Sequence, residues 1–192
     1  VAALDAIDGL LALHVLCLTP LLLALRPPPR SLRWAWGVAA GLATFSSQLP
    51  LSPERGWWAV PWLAFSAWLL AGAVGDLLRS ARSRGLWRCE HLGLRAAAHL
   101  FLFVGAGWLV FARTGVPLPG LDAEKVLLAA IHGHYTGFGG LILMAEAARR
   151  STAGERRVLA ATGIGLGLGF GLVGVGIAFA HALEPVGAGV LA

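Results

Sequence analysis

Charged residues are scarce in this sequence. Of its 192 residues only 13% are charged, whereas 57% are hydrophobic and the mean hydropathy is +0.74. A soluble globular domain carries about 25% charged residues, so the composition excludes a water-soluble fold and predicts a membrane protein. The apolar runs are long and continuous and lack the alternation of a transmembrane barrel. An all-α, polytopic bundle is therefore expected.

Cysteine and acidic residues are also few. The two cysteines, Cys17 and Cys89, are isolated, which argues against a disulfide framework or a cysteine metal motif. Lys and Arg number 15 against 10 Asp and Glu, giving a net charge of +5. The arginines lie in short connections between apolar runs, where such charge sets membrane topology. No nucleic-acid partner is therefore expected.

The apolar runs predict six spans in a single transmembrane domain over residues 1–192. Prolines mark their limits, because proline lacks the amide proton and clashes with the preceding helical turn. At roughly 20 residues per span, the spans are predicted at about 8–25, 34–50, 57–78, 95–113, 125–147 and 156–182. A seventh span starting near Glu184 is an alternative.

Basic residues predict the orientation. Most of them lie in the first, third and fifth connections, as in the run from Arg79 to Arg95. Connections rich in Lys and Arg face the cytoplasm. The N-terminus is therefore expected outside, as is the C-terminus of a six-span chain.

The stretch "IHGHYTGFGG", residues 131–140, places ionisable side chains in an apolar run. His132 and His134 follow Lys125 by seven and nine residues, which puts them about 10–14 Å into the membrane. His14 is expected at a similar depth in the first span. Ionisable groups are costly in lipid, so these positions indicate function.

Helical spacing separates the two motif histidines. On a regular helix His132 shares a face with Tyr135 and Thr136, whereas His134 points away with Phe138. Both histidines cannot line one cavity on a regular helix, so either the helix is surrounded by protein or Gly133 permits a local distortion. The spacing of two residues is also poor for one metal ion, since zinc sites on helices prefer a spacing of four. No metal ligand set is predicted.

The segment "GWLVFARTGVPLPGLDAEKVLLAAIHGHYTGFGGLIL" resembles the YndJ-like bacterial membrane proteins. The match places His132, His134, Tyr135, Gly137 and Phe138 on the family's histidine motif, with Gly133 in place of an aromatic residue. The resemblance implies a multi-pass protein of the bacterial inner (cytoplasmic) membrane. It implies no particular chemistry.

The first functional hypothesis is a membrane enzyme that isomerises or cyclises a lipophilic substrate such as a terpenoid or polyene. Histidine moves protons near neutrality. The expected catalytic residues are His132, His134, Tyr135, Glu54 and Glu184. The expected substrate-binding residues are His14, Gln48, Trp57, Trp58, Thr136, Phe138 and His181.

Three alternatives remain open. His14 and a motif histidine at matching depth are compatible with bis-histidine haem, and imidazole also suits a divalent metal. Intramembrane histidines also occur in proton-coupled transporters. A small accessory subunit is the fourth hypothesis. The enzyme hypothesis requires no cofactor, and its partners are the lipid bilayer and a lipophilic small molecule.

Overall fold

Six helices form the part of the chain that the computed structural model describes, which is residues 2–24, 30–49, 52–85, 89–117 and 121–179. They are α1 (2–24), α2 (Arg30–Ser47), α3 (53–84), α4 (Glu90–Thr114), α5 (Ala123–Arg150) and α6 (Ala153–Phe179). These ranges contain no strand. The predicted all-α fold is confirmed.

Four of the six helices are long and apolar enough to cross a membrane. These segments are Trp57–Ser83, Glu90–Thr114, Ala123–Arg150 and Ala153–Val173. The apolar part of α1, Asp8–Leu22, is shorter. All six predicted spans thus coincide with helices, although α1 and α2 do not reach the length and hydropathy of the others. Residues 180–182 and the alternative seventh span lie outside the described residues.

Helix α4 lies at the centre, against α3, α5 and α6. Several of its buried positions are small, such as Ala98 and Ala106, which lets neighbouring backbones come close. The two backbones come close where Gly105 of α4 meets Gly133 of α5. A Cβ atom on Gly133 would lie 2.7 Å from Gly105 Cα. Both positions therefore require glycine.

Helix α6 packs on the outside of α4 and α5 through some of its glycines. A Cβ atom on Gly163 would meet Leu94 and Leu141, and one on Gly167 would meet the ring of Phe101. The four-residue glycine spacing is typical of helix packing, and these two positions confirm it. Most other positions of α6 over residues 153–173 are exposed or half-buried.

The chain reverses at the end of α4, where Gly115 adopts a left-handed φ of 65°. Ser52, just before α3, donates its backbone N–H to the Arg113 carbonyl at 3.3 Å. Arg113 also forms an ion pair with Asp8 of α1. These contacts define the Asp8 end of the bundle. The opposite end, called the Arg79 end, holds the ion pairs of Asp76 with Arg79 and Arg95.

A buried histidine cluster as the candidate functional site

Two stretches of π-helix face each other where α1 meets α5. They span His14–Leu18 and Gly133–Gly140. In the first, the Thr19 N–H donates to the His14 carbonyl, five residues back. Such wide turns are rare and occur frequently at functional sites. They bring the His14 ring to within 5.3 Å of His134 and 4.6 Å of Tyr135, centroid to centroid.

The hydrogen bonds of His134 fix its chemical form. Trp62 of α3 donates its indole N–H to His134 Nε2 at 2.9 Å. Indole nitrogen is a donor only, so Nε2 is the acceptor and the proton sits on Nδ1. Nδ1 lies 2.7 Å from the Ala130 carbonyl, to which it donates. His134 is therefore neutral, and both of its ring nitrogens are engaged.

His14 differs from His134 although the two rings touch. It is fully buried, and neither of its ring nitrogens has a hydrogen-bond partner. Leaving a buried polar group unpaired costs about 1–3 kcal/mol. Such groups are uncommon in native proteins, and each one calls for an explanation. His14 is thus the one histidine of the contacting pair with free hydrogen-bonding capacity.

Aromatic side chains complete the surroundings. The Tyr135 hydroxyl donates to the Leu10 carbonyl of α1 at 2.7 Å, and its ring is half-buried. Phe138 is fully buried and contacts both His14 and His99, at centroid distances of 6.0 and 5.6 Å. The buried histidine cluster is defined by six residues from four helices: His14, Trp62, His99, His134, Tyr135 and Phe138.

His132 does not belong to this cluster. It is exposed, its Nδ1 lies 2.7 Å from the Leu128 carbonyl, and its ring is 6.1 Å from Phe170 of α6. The expectation that His132 shares a face with Tyr135 is therefore wrong. The π-helix widens the turn after Gly133, so His134 and Tyr135 both reach His14. The alternative of a distortion at Gly133 is confirmed.

Four of the other predicted site residues, Gln48, Glu54, Trp57 and Trp58, lie apart from the cluster. Thr136 is half-buried, whereas Gln48, Glu54, Trp57 and Trp58 are exposed at the Asp8 end. Trp58 packs against Phe45 at 5.7 Å. His181 and Glu184 lie outside the described residues.

Sequence reasoning missed the hydrogen bond of Trp62 and the place of His99. Trp62 is 72 residues from His134, so no local spacing could pair them. His99 lies on α4 one helical turn from Arg95, towards the Arg79 end. Its Nδ1 lies 2.7 Å from the Arg95 carbonyl there, while its ring reaches Phe138. The one signal in the sequence for His99 was its position on a helix within an apolar run.

The cluster does not fit a metal or haem. Among the described residues no three His, Cys, Asp or Glu side chains are grouped to hold a metal ion. Both ring nitrogens of His134 are already hydrogen-bonded. The His14 and His134 rings are in edge contact at an interplanar angle of 80°. A haem group therefore does not fit between the two rings.

The fold and the cluster define the class: a helical membrane protein whose histidines meet inside the bundle. The family model for YndJ-like proteins matches residues 9–192. The chain belongs to the YndJ-like family, which confirms the resemblance of its histidine motif. No curated protein and no solved structure shows significant similarity to the chain.

Proposed function

We propose that this protein is a membrane-embedded acid–base enzyme that isomerises or cyclises a lipophilic substrate, with His14 as the catalytic residue. The observation that carries the proposal is the difference between two touching histidines. His134 has both ring nitrogens hydrogen-bonded, whereas His14 has neither. A group that exchanges protons with a substrate needs free donors and acceptors.

A neutral imidazole can isomerise a substrate without gaining net charge. Its unprotonated nitrogen accepts a proton from one carbon of the substrate, and its N–H returns a proton to another carbon. The double bond shifts and the ring ends as the other tautomer. Exchange of one ring proton with water restores the starting form. The step therefore needs no oxidant and no cofactor.

The neighbouring residues have supporting roles in this proposal. His134 is a positioning residue, because Trp62 and the Ala130 carbonyl hold its ring against His14. Phe138 supplies an aromatic face that favours a developing positive charge. Tyr135 is the half-buried member of the cluster. Displacing it from the Leu10 carbonyl would open His14 to the lipid side of α1 and α5.

The proposed setting is the bacterial cytoplasmic membrane, with the Asp8 end outside. Arginines concentrated at the Arg79 end support this orientation. The test uses single cysteines at Glu54 and Arg149 in a chain whose native cysteines are replaced by alanine. A membrane-impermeant thiol reagent should label intact cells at position 54 only. Labelling at position 149 alone would show that the orientation is the opposite of the proposed one.

Deuterium incorporation tests the chemistry even while the substrate is unidentified. Membranes of the organism that carries the gene, with and without the protein, are incubated in D2O, and their lipids are analysed by mass spectrometry. Proton exchange at carbon should add deuterium to one lipid class only when the protein is present. The His14→Phe variant should abolish this signal.

Two further variants sharpen the result. His132→Phe removes the exposed motif histidine, and Val158→Ala changes an exposed residue of α6 as a control. Both should keep the deuterium signal. Loss of the signal with His132→Phe but not with His14→Phe would move the catalytic role to His132. A complete absence of protein-dependent incorporation would reject the enzyme proposal.

Proton-coupled transport is the second candidate. Phe138 contacts both His14 and His99, and charged pairs lie at the two ends, Asp8 with Arg113 and Asp76 with Arg95. The test is proton flux into proteoliposomes that contain a pH-sensitive dye. Flux that His14→Phe and His99→Phe both abolish, without deuterium incorporation into lipid, would favour transport.

A further inference from the structure

A small cavity near the Asp8 end is separate from the histidine cluster. It lies between α1, α2 and α4 and has a volume of ≈ 10 Å³. The residues that matter to its chemistry are Asp8, Leu11, Val15, Thr44, Leu109 and Arg113. None of its described lining residues is a histidine. A volume of this size has room for about one oxygen-sized group.

Two lining residues each have a polar atom without a partner. Arg113 is 3% exposed and is ion-paired with Asp8 through Nη2, but its Nε–H has no hydrogen-bond acceptor. Thr44 Oγ1 on α2 is also buried without a partner. The nearby Ser47 hydroxyl is already used, since it donates to the Thr44 carbonyl at 2.7 Å. The lining thus offers a donor from Arg113 and a hydroxyl from Thr44.

The charge of the site selects a neutral ligand. Asp8 balances the charge of Arg113, so the lining carries no net charge to recruit an anion. An oxygen atom that accepts from Arg113 Nε–H and exchanges a hydrogen bond with Thr44 would satisfy both atoms. Hydroxyl and carbonyl groups meet this requirement.

Apart from Ser47, the remaining lining is apolar, and the cavity is not closed. Of the lining residues, Leu11, Val15 and Leu109 are buried, while Ala12 and Ser47 are half-buried. A head group can therefore enter while its hydrocarbon tail stays in lipid along α1 and α2. We propose that this cavity binds the hydroxyl or carbonyl oxygen of a neutral amphiphile between Arg113 Nε and Thr44 Oγ1. This proposal does not depend on the chemistry proposed for His14.

The test is displacement of tritiated 1-decanol from the full chain in lipid nanodiscs, with empty nanodiscs as the blank. Binding should saturate. Unlabelled 1-decanol and 2-undecanone should displace the label, and undecane, which lacks oxygen, should not. Thr44→Val should weaken decanol binding roughly five- to tenfold, the loss expected for one hydrogen bond. Thr44→Ser should restore it.

Ser47→Ala is the matched control, because its hydroxyl lines the cavity but is already bonded. It should leave decanol binding unchanged. The displacement series on the unmodified protein decides the matter even if Thr44→Val misfolds. Equal displacement by decanol and undecane would overturn the proposal. Stronger displacement by decanoate than by decanol would show an anion site instead. An absence of saturable binding would mean that the cavity binds only a water molecule.

Discussion

Trp62 and His134 form a buried hydrogen bond between α3 and α5, in which the indole N–H donates to imidazole Nε2 at 2.9 Å. The two rings are nearly parallel, at 14°. Neither side chain is exposed. The bond orients the imidazole that lies against His14, so it links the packing of the bundle to the candidate site.

Replacing Trp62 by phenylalanine should lower the free energy of unfolding by about 1–3 kcal/mol, because His134 Nε2 is left buried without a donor. Unfolding in a detergent titration measures the change. Trp58→Phe is the control, since Trp58 is 44% exposed and keeps its aromatic contact with Phe45. It should change stability by less than about 0.5 kcal/mol. Equal effects would mean that the Trp62 bond contributes nothing.

Replacing His14 and His134 by phenylalanine should change the stability of the protein in opposite directions. His14→Phe removes a buried polar group that has no partner, so stability should be unchanged or raised by about 1 kcal/mol. His134→Phe leaves the Trp62 N–H unpaired and should destabilise by about 1–3 kcal/mol. Thermal unfolding of both variants in one detergent gives the comparison. A His14→Phe variant as unstable as His134→Phe would show that His14 has a hydrogen-bond partner in the folded protein.

Asp122 should make stability depend on acid pH. It caps α5: the Lys125 backbone N–H donates to Asp122 Oδ1 at 2.8 Å, and the Lys125 ammonium lies 3.3 Å from Oδ2. These interactions hold the pKa of Asp122 below its ordinary value of 3.8. The unfolded chain therefore binds its proton more readily, so the stability from the cap is present above this value. It is lost as the pH falls through the folded pKa.

Asp122→Asn isolates this effect, because asparagine also caps helices but does not titrate. The wild type should be more stable than the variant at about pH 7, and the difference should shrink by about pH 3. Thermal midpoints at the two pH values are the measurement. If the two proteins differ in thermal midpoint by the same amount at both pH values, the effect comes from the geometry of the cap rather than from the charge of Asp122.

The helices were predictable because their ends depend on local chemistry. The fourth span was expected to end at 113, and α4 ends at Thr114 before the left-handed Gly115. The third helix extends well past the predicted 57–78, to Arg84. Hydropathy shows which residues can lie in lipid. The backbone hydrogen bonds of the helix continue beyond them through polar turns, such as those around Arg79. Apolar length therefore underestimates helix length.

The site was only partly predictable. His14 was expected at a depth similar to that of the histidine motif, and the structure places its ring against His134, Tyr135 and Phe138. The face of each residue was derived for a regular helix, and the π-helix changed it. Partners such as Trp62 depend on how separate helices pack. Spacing within one helix contains no information on such contacts.

The contact of Gly105 with Gly133 should not tolerate a methyl group. A Cβ atom on Gly133 would lie 2.7 Å from Gly105 Cα and 2.9 Å from the Phe101 carbonyl oxygen. These neighbours are backbone atoms and cannot rotate away. Gly133→Ala should therefore destabilise by about 1–3 kcal/mol, despite the better helix propensity of alanine.

Gly107→Ala is the matched control for this contact. Gly107 lies two residues from Gly105 on α4, and a Cβ atom there would have no neighbour within 4 Å. Helix propensity alone predicts a neutral effect or a gain of up to about 1 kcal/mol. The free energy of unfolding in detergent distinguishes the two variants. Gly133→Ala can be as stable as Gly107→Ala only if α4 and α5 are further apart than the distance of 2.7 Å from a Gly133 Cβ atom to Gly105 Cα implies. In that case the π-helix that places His134 against His14 does not depend on the contact of these glycines.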